Sequence, residues 1–143
     1  MIQYQIVMDT NTLAAALRSK RGASYKLLSL IDSGKFQLNI SVPLVFEYED
    51  VVKGDSHITA VLSEAEIDNI LDYLCAVANR RKIFFLWRPF LKDPKDDFLL
   101  ELAVEAQCSH IITYNKMDFA GIGLFGIKAL TAHEFLQLLG ELP

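Results

Sequence analysis

Cysteine is scarce in this chain. The two present, Cys75 and Cys108, stand alone among 143 residues. Neither belongs to a Cys-x-x-Cys pair or a Cys/His spacing, so a disulfide framework or thiolate metal centre is set aside and free buried thiols are expected. Long apolar runs are also missing. None approaches the roughly 20 residues needed to cross a bilayer. No basic region followed by an apolar block opens the chain as a signal peptide would, and the expectation is a cytoplasmic protein with no membrane partner. Positive charge is in short supply as well: 14 Lys and Arg stand against 18 Asp and Glu, for a net charge of −4. An acidic balance does not advertise nucleic-acid binding, because neutralising phosphates takes local Lys and Arg. It does not exclude that class, since clustered carboxylates make a chain acidic and a bound cation partly reverses the sign at that spot.

What is there is a core-forming sequence. Hydrophobic residues make up 52% and charged residues 22%, a balance that excludes disorder. With no linker, repeat or low-complexity segment, one domain over residues 1–143 is expected. Short β-branched runs alternate with helical patterns throughout. Residues 2–8 read as a buried strand, 24–31 as a helix, and 36–40 as a second strand. Ser41, Val42 and Pro43 open a helix that Lys53 and Gly54 end. Residues 54–59 read as loop. Ser63 and Glu66 form a capping box for a long helix, which Arg80, Arg81 and Lys82 close. Residues 83–87 read as a third strand. A helix from about residue 94 leads to a fourth strand at 109–114. After a glycine-punctuated loop come a short strand at 127–130 and a last helix capped by Thr131 and Glu134. Alternating strands and helices predict an α/β/α sandwich around a mainly parallel, five-stranded sheet. In such sheets ligands bind beyond the carboxyl ends of the strands.

The acids gather at that end. Asp9 follows the first strand, as a helix N-cap or as a ligand. Glu47 borders the apolar arc of its helix. Asp93, Pro94 and Asp96 fit a helix start, with an N-cap, proline at the first position and an acid at the third. Asp97 is harder to explain that way. Three acids within five residues repel one another, and a cation relieves the repulsion. Oxygen-only ligands suit the hard ions Mg²⁺ and Mn²⁺, whose bound waters are nucleophiles for phosphodiester hydrolysis.

The ordered set resembles a known family. Asp9, Thr10 and Asn11 after the first strand resemble the first motif of PIN domains. The segment 41–52, with Glu47, resembles the second. The segment 93–103, with Asp97, resembles the third. The segment 110–119, with Thr113, Asn115 and Asp118, resembles the fourth. The closing strand and helix are similar too, and the subgroup it looks most like is the VapC-like toxin of bacterial toxin–antitoxin pairs. The resemblance implies a Mg²⁺- or Mn²⁺-dependent ribonuclease, often a homodimer and often blocked by an antitoxin. It assigns the core acids to Asp9, Glu47 and Asp97. A one-residue slip in alignment exchanges Asp96 for Asp97. Asn115 falls where many relatives carry a fourth acid, which Asp118 could replace. Thr113 and Asn11 match positions that orient ligands or waters.

Arg18, Lys20, Arg21, Lys92, Lys95 and Lys116 are candidates to meet RNA phosphates, and Trp87 and Phe119 to stack on bases; solvated surface and core packing are the plain alternatives. Two other readings stay open. One is a non-catalytic PIN module that binds RNA or a partner protein, favoured by Asn115. The other is a phospho-acceptor domain of receiver type, against which the first strand ends in one acid rather than a pair.

Overall fold

In a computed structural model of the chain, residues 3–82, 90–91 and 93–143 are described, with the side chains of Pro94 and Lys95 left aside. The strand expected at 83–87, together with Trp87 and Lys92, lies outside the described residues. The elements run β1 (Tyr4–Met8), α1 (Thr10–Arg18), α2 (Ala23–Ser29), β2 (Phe36–Ile40), α3 (Val42–Lys53), α4 (Ser56–Thr59), α5 (Glu64–Val77), β3 (Asn79–Arg80), α6 (Pro94–Glu105), β4 (His110–Ile112), two 3-10 turns (Lys116–Phe119 and Ile122–Phe125), β5 (Lys128–Leu130) and α7 (Ala132–Leu138).

The strands form one sheet in the order β3-β2-β1-β4-β5, and every pairing is parallel. Helices cover a parallel sheet on both faces, so its strands are apolar throughout. Ile6, Val7 and Met8 accordingly are sealed from solvent along with Leu38, Ile40, Ile111 and Ile112. Leu13, Tyr48, Leu99, Leu100 and Phe135 bring the helices down onto them in a single buried cluster. The chain winds outward from β1 through β2 to β3, then returns to place β4 and β5 on the other side of β1. The crevice at the carboxyl ends of β1 and β4 is therefore the topological switch point, where such sheets bind ligands.

Local signals set several boundaries. Ser63 and Glu66 make the full capping box of α5, and Thr131 and Glu134 that of α7. Ser41 Oγ accepts from the Leu44 N–H, with proline in the first turn of α3. Cys75 and Cys108 are free thiols, and burial pushes the Cys108 thiol up to about 12.

Two expectations need correction. Residues 54–59 are not all loop, because Asp55 accepts from the His57 and Ile58 N–H groups and starts the one-turn helix α4. The long helix α5 is not closed by Arg80 to Lys82. It ends at Val77, and Asn79 and Arg80 already pair with Asn39 and Ile40 of β2. The Arg81 N–H continues this line by donating to the Ile40 carbonyl at 2.8 Å, so the ladder outcompetes the helix end.

No helix among the described residues is long and apolar enough to cross a membrane.

Candidate active site

The register between β1 and β4 builds the centre of the site. Met8 lies opposite Ile112, and the Asp9 N–H donates to the Ile112 carbonyl at 2.8 Å. Asp9 therefore leaves the sheet beside Thr113. The fully buried Thr113 hydroxyl donates to Asp9 Oδ2 at 2.8 Å and accepts from the Asn115 N–H at 3.0 Å. Asp9 sits at the N-cap position of α1 without a capping hydrogen bond from its side chain. It is a buried carboxylate at the crevice between β1 and β4. Burial raises its pKa, and the charge of Asp118 adds to the rise. The Thr113 hydroxyl and the first-turn N–H groups of Thr10 and Asn11 oppose it.

Helix α3 brings Glu47 to the same mouth. The buried Tyr48 hydroxyl donates to the Met8 carbonyl and pins α3 to the end of β1. Thr10, the first residue of α1, donates from Oγ1 to Glu47 Oε2 at 3.0 Å and fixes that half-buried carboxylate. The Tyr48 phenol is raised well above its ordinary range, by burial first and then by the charges of Asp9 and Glu47.

The two neighbouring acids of α6 have different surroundings. Asp97 is buried, and its Oδ1 accepts from the Phe90 and Leu91 N–H groups at 3.2 and 3.0 Å. That carboxylate fastens the approach to α6. Asp96 is half-buried, and its carboxylate carries no such bond among the described residues. Its pKa rises to about 6, because burial disfavours its charge and Asp9, Asp93, Asp118 and Glu47 all repel it. Asp96 is therefore the point at which the acids brought in by β1, α3, α6 and the turn after β4 are felt together. Among the described residues no three acids stand tightly enough to grip an ion as placed. What joins them is charge, and carboxylates that raise each other's pKa are relieved by a proton or a cation. The donor set is all oxygen, which fits a hard divalent ion and not a thiolate-seeking one.

Asp118 and Asn115 lie at the exposed rim, on and just before the 3-10 turn Lys116–Phe119. Asn11 is also exposed, and Phe119 is core. Two candidate RNA contacts already serve carboxylates: Arg18 pairs with Asp55 at 2.7 Å and Lys116 with Glu134 at 2.9 Å. Lys20 and Arg21 are exposed. Thr10 and Tyr48 carried no site role in the sequence reading. A tyrosine on a buried helical arc needs a partner for its hydroxyl, and that was the available signal.

Beside Glu47 a groove of about 850 Å³ opens between α3 and the start of α6, and Phe46 and Phe98 stand exposed in it.

A family model for the PIN domain matches residues 5–117. A chain in the crystal structure of VapBC2 from Rickettsia felis, bound to a DNA fragment from their promoter, is similar in fold. Its TM-score is 0.59 over 89% of this chain and 98% of that one, at 13% identity, a likeness of fold alone. No curated protein matches the chain in sequence.

Proposed function

The chain belongs to the PIN-domain family, and from that membership we propose that it is a divalent-metal-dependent endoribonuclease, the toxin of a toxin–antitoxin pair. The observation that carries the reading is the pair of acids at the switch point, Asp9 held by the Thr113 hydroxyl and Glu47 held by the Thr10 hydroxyl, with Asp96 of α6 within reach of their charge. A surface with no catalytic use for converging carboxylates would gain stability by separating them.

In this reading Asp9, Glu47 and Asp96 hold Mg²⁺ or Mn²⁺, with Asp118 at the rim. Asp97, which the motif resemblance assigns as the third core acid with Asp96 as its rival, serves in this reading as the anchor that sets the first turn of α6. When bound, the cation would supply Lewis acidity for attack of water on a phosphodiester. The chain does the positioning. Thr113 holds the Asp9 carboxylate in one orientation, Thr10 does the same for Glu47, and Tyr48 keeps α3 at the end of β1. Asn115, a neutral amide where relatives carry an acid, favours one cation over two.

The test is cleavage of a labelled RNA in Mg²⁺ or Mn²⁺. Asp9→Asn and Asp96→Asn are expected to lose activity at least about a hundredfold. Full activity in either variant, or in excess EDTA, overturns the reading of metal-dependent cleavage at these acids. Asn115 also favours a second reading, a PIN module that binds without cutting. A calorimetric titration with Mn²⁺ that gives no heat on a folded protein selects it.

The fold likeness to a chain of VapBC2 supports an antitoxin partner, and the apolar groove beside Glu47 offers it a surface. Phe46→Asp is then expected to release the activity from inhibition by the antitoxin. A homodimer is the accompanying expectation, checked by sedimentation equilibrium.

A further inference from the structure

A second groove, of about 490 Å³, lies between α2 and α7. Its lining includes Lys20, Arg21, Tyr25, Lys26 and His133, and among the described residues no acid lines it. In a chain of net charge −4 that is a local reversal of sign. Lys26 Nζ donates to the Glu141 carbonyl oxygen at 2.8 Å, a neutral acceptor that positions the ammonium without cancelling its charge. Hydrogen bonds and neighbouring positions in the chain relate this groove to the acid centre in two places. Ser24 on α2 shares a hydrogen bond with the Tyr114 hydroxyl, and Tyr114 follows Thr113, which holds Asp9. His133 precedes Glu134, which holds Lys116 on the turn that carries Asp118.

An acid centre repels a polyanion, so the affinity for a nucleic-acid strand must come from phosphates bound elsewhere along it. We infer that the α2–α7 groove binds the phosphodiester backbone of single-stranded RNA, with Lys20, Arg21, Lys26 and His133 on its phosphates. Tyr114, 49% exposed between groove and acid centre, offers a ring on which a base stacks. The identity of the polyanion rests on the nuclease reading; the binding surface does not.

The test is fluorescence anisotropy with a fluorescein-labelled, unstructured 12-nucleotide RNA, in EDTA so that binding is read without cleavage. Lys20→Glu combined with Arg21→Glu, both in an exposed turn, is expected to weaken binding at least about tenfold. The slope of log affinity against log salt should flatten by about 1.4, since each single-strand phosphate contact contributes about 0.7. His133→Ala should weaken binding a few fold. Lys128→Glu, exposed at the opposite end of the sheet, should stay within twofold. Unchanged binding in the double variant, or an equal loss in Lys128→Glu, overturns the inference. So does poly-glutamate competing better than poly-uridine of equal charge, which would make the groove a site for an acidic protein. Cleavage that ignores Asp9 and Asp96 while the groove variants still weaken binding sinks the reading of metal-dependent cleavage at these acids and leaves the groove standing; metal-dependent cleavage with groove-independent binding does the reverse.

Discussion

Replacing Asp96 by asparagine should make the metal-free protein more stable and the metal-loaded protein no more stable than the metal-free one. Asp96 binds its proton up to about pH 6 in the folded chain against an ordinary value of 3.8. The sign follows from linkage: the folded state holds the proton more tightly than the unfolded state. The carboxyl therefore carries no penalty below pH 3.8, and the penalty grows as pH rises to 6 and is complete above it. At about 1.4 kcal/mol per pH unit the ceiling is about 3 kcal/mol. Partial exposure and solvent screening reduce it to about 1–2 kcal/mol. For a chain of this size that is about 3–6 °C in melting temperature. Melts followed by circular dichroism in EDTA at pH 7.5 should show the variant higher by that amount, and the gain should shrink as pH falls toward 4. Addition of Mn²⁺ at a hundred times its dissociation constant should raise the wild type by about 2.7 kcal/mol and leave the variant unmoved. A variant that melts below the wild type in EDTA, or that gains as much from Mn²⁺, refutes the assignment of Asp96 to the acid centre.

Three further outcomes follow from neighbouring contacts. Asp97→Ala strands the Phe90 and Leu91 N–H groups and should cost about 2–4 kcal/mol in urea unfolding, whereas Asp97→Asn keeps an acceptor oxygen and should cost about half that or less; equal stability of both with wild type removes the anchoring role. Protonation of Asp96 competes with the cation, so Mn²⁺ affinity measured by calorimetry should fall about tenfold between pH 7.5 and pH 5, and a flat profile would contradict this. Thr113→Val removes a hydrogen bond that lowers the Asp9 pKa, so the acid limb of the cleavage profile should move to higher pH, with a stability loss of about 1 kcal/mol; an unmoved limb would mean that Asp9 does not titrate in the reaction.

Most of the architecture is written in short-range chemistry. Ser63 with Glu66 and Thr131 with Glu134 cap their helices with neighbours three residues away, and both boxes form as their spacing predicts. The β-branched runs at β1 and β4 need only burial on both faces. Where a long-range bond competes with a local one, the sequence misleads. Basic residues after α5 suggest a helix end, but pairing with β2 draws Asn79 and Arg80 into the sheet.

By itself the sequence determined the alternation of strands and helices apart from the one-turn helix α4 and the place of β3, the free state of both cysteines, and the identity of the acids available at the strand ends. The tertiary structure decided what each of those acids is bonded to. Adjacent helical positions point about 100° apart, so the seating of α6 on β1 and β4 determines whether Asp96 or Asp97 meets the other acids. That seating depends on packing across the core and on the bonds from Phe90 and Leu91 to Asp97. The orienting groups also belong to distant parts of the chain. Thr113 is 104 residues from Asp9, and Thr10 is 37 from Glu47. A parallel sheet brings remote strand ends side by side, and only the sheet's register fixes which hydroxyl faces which carboxylate.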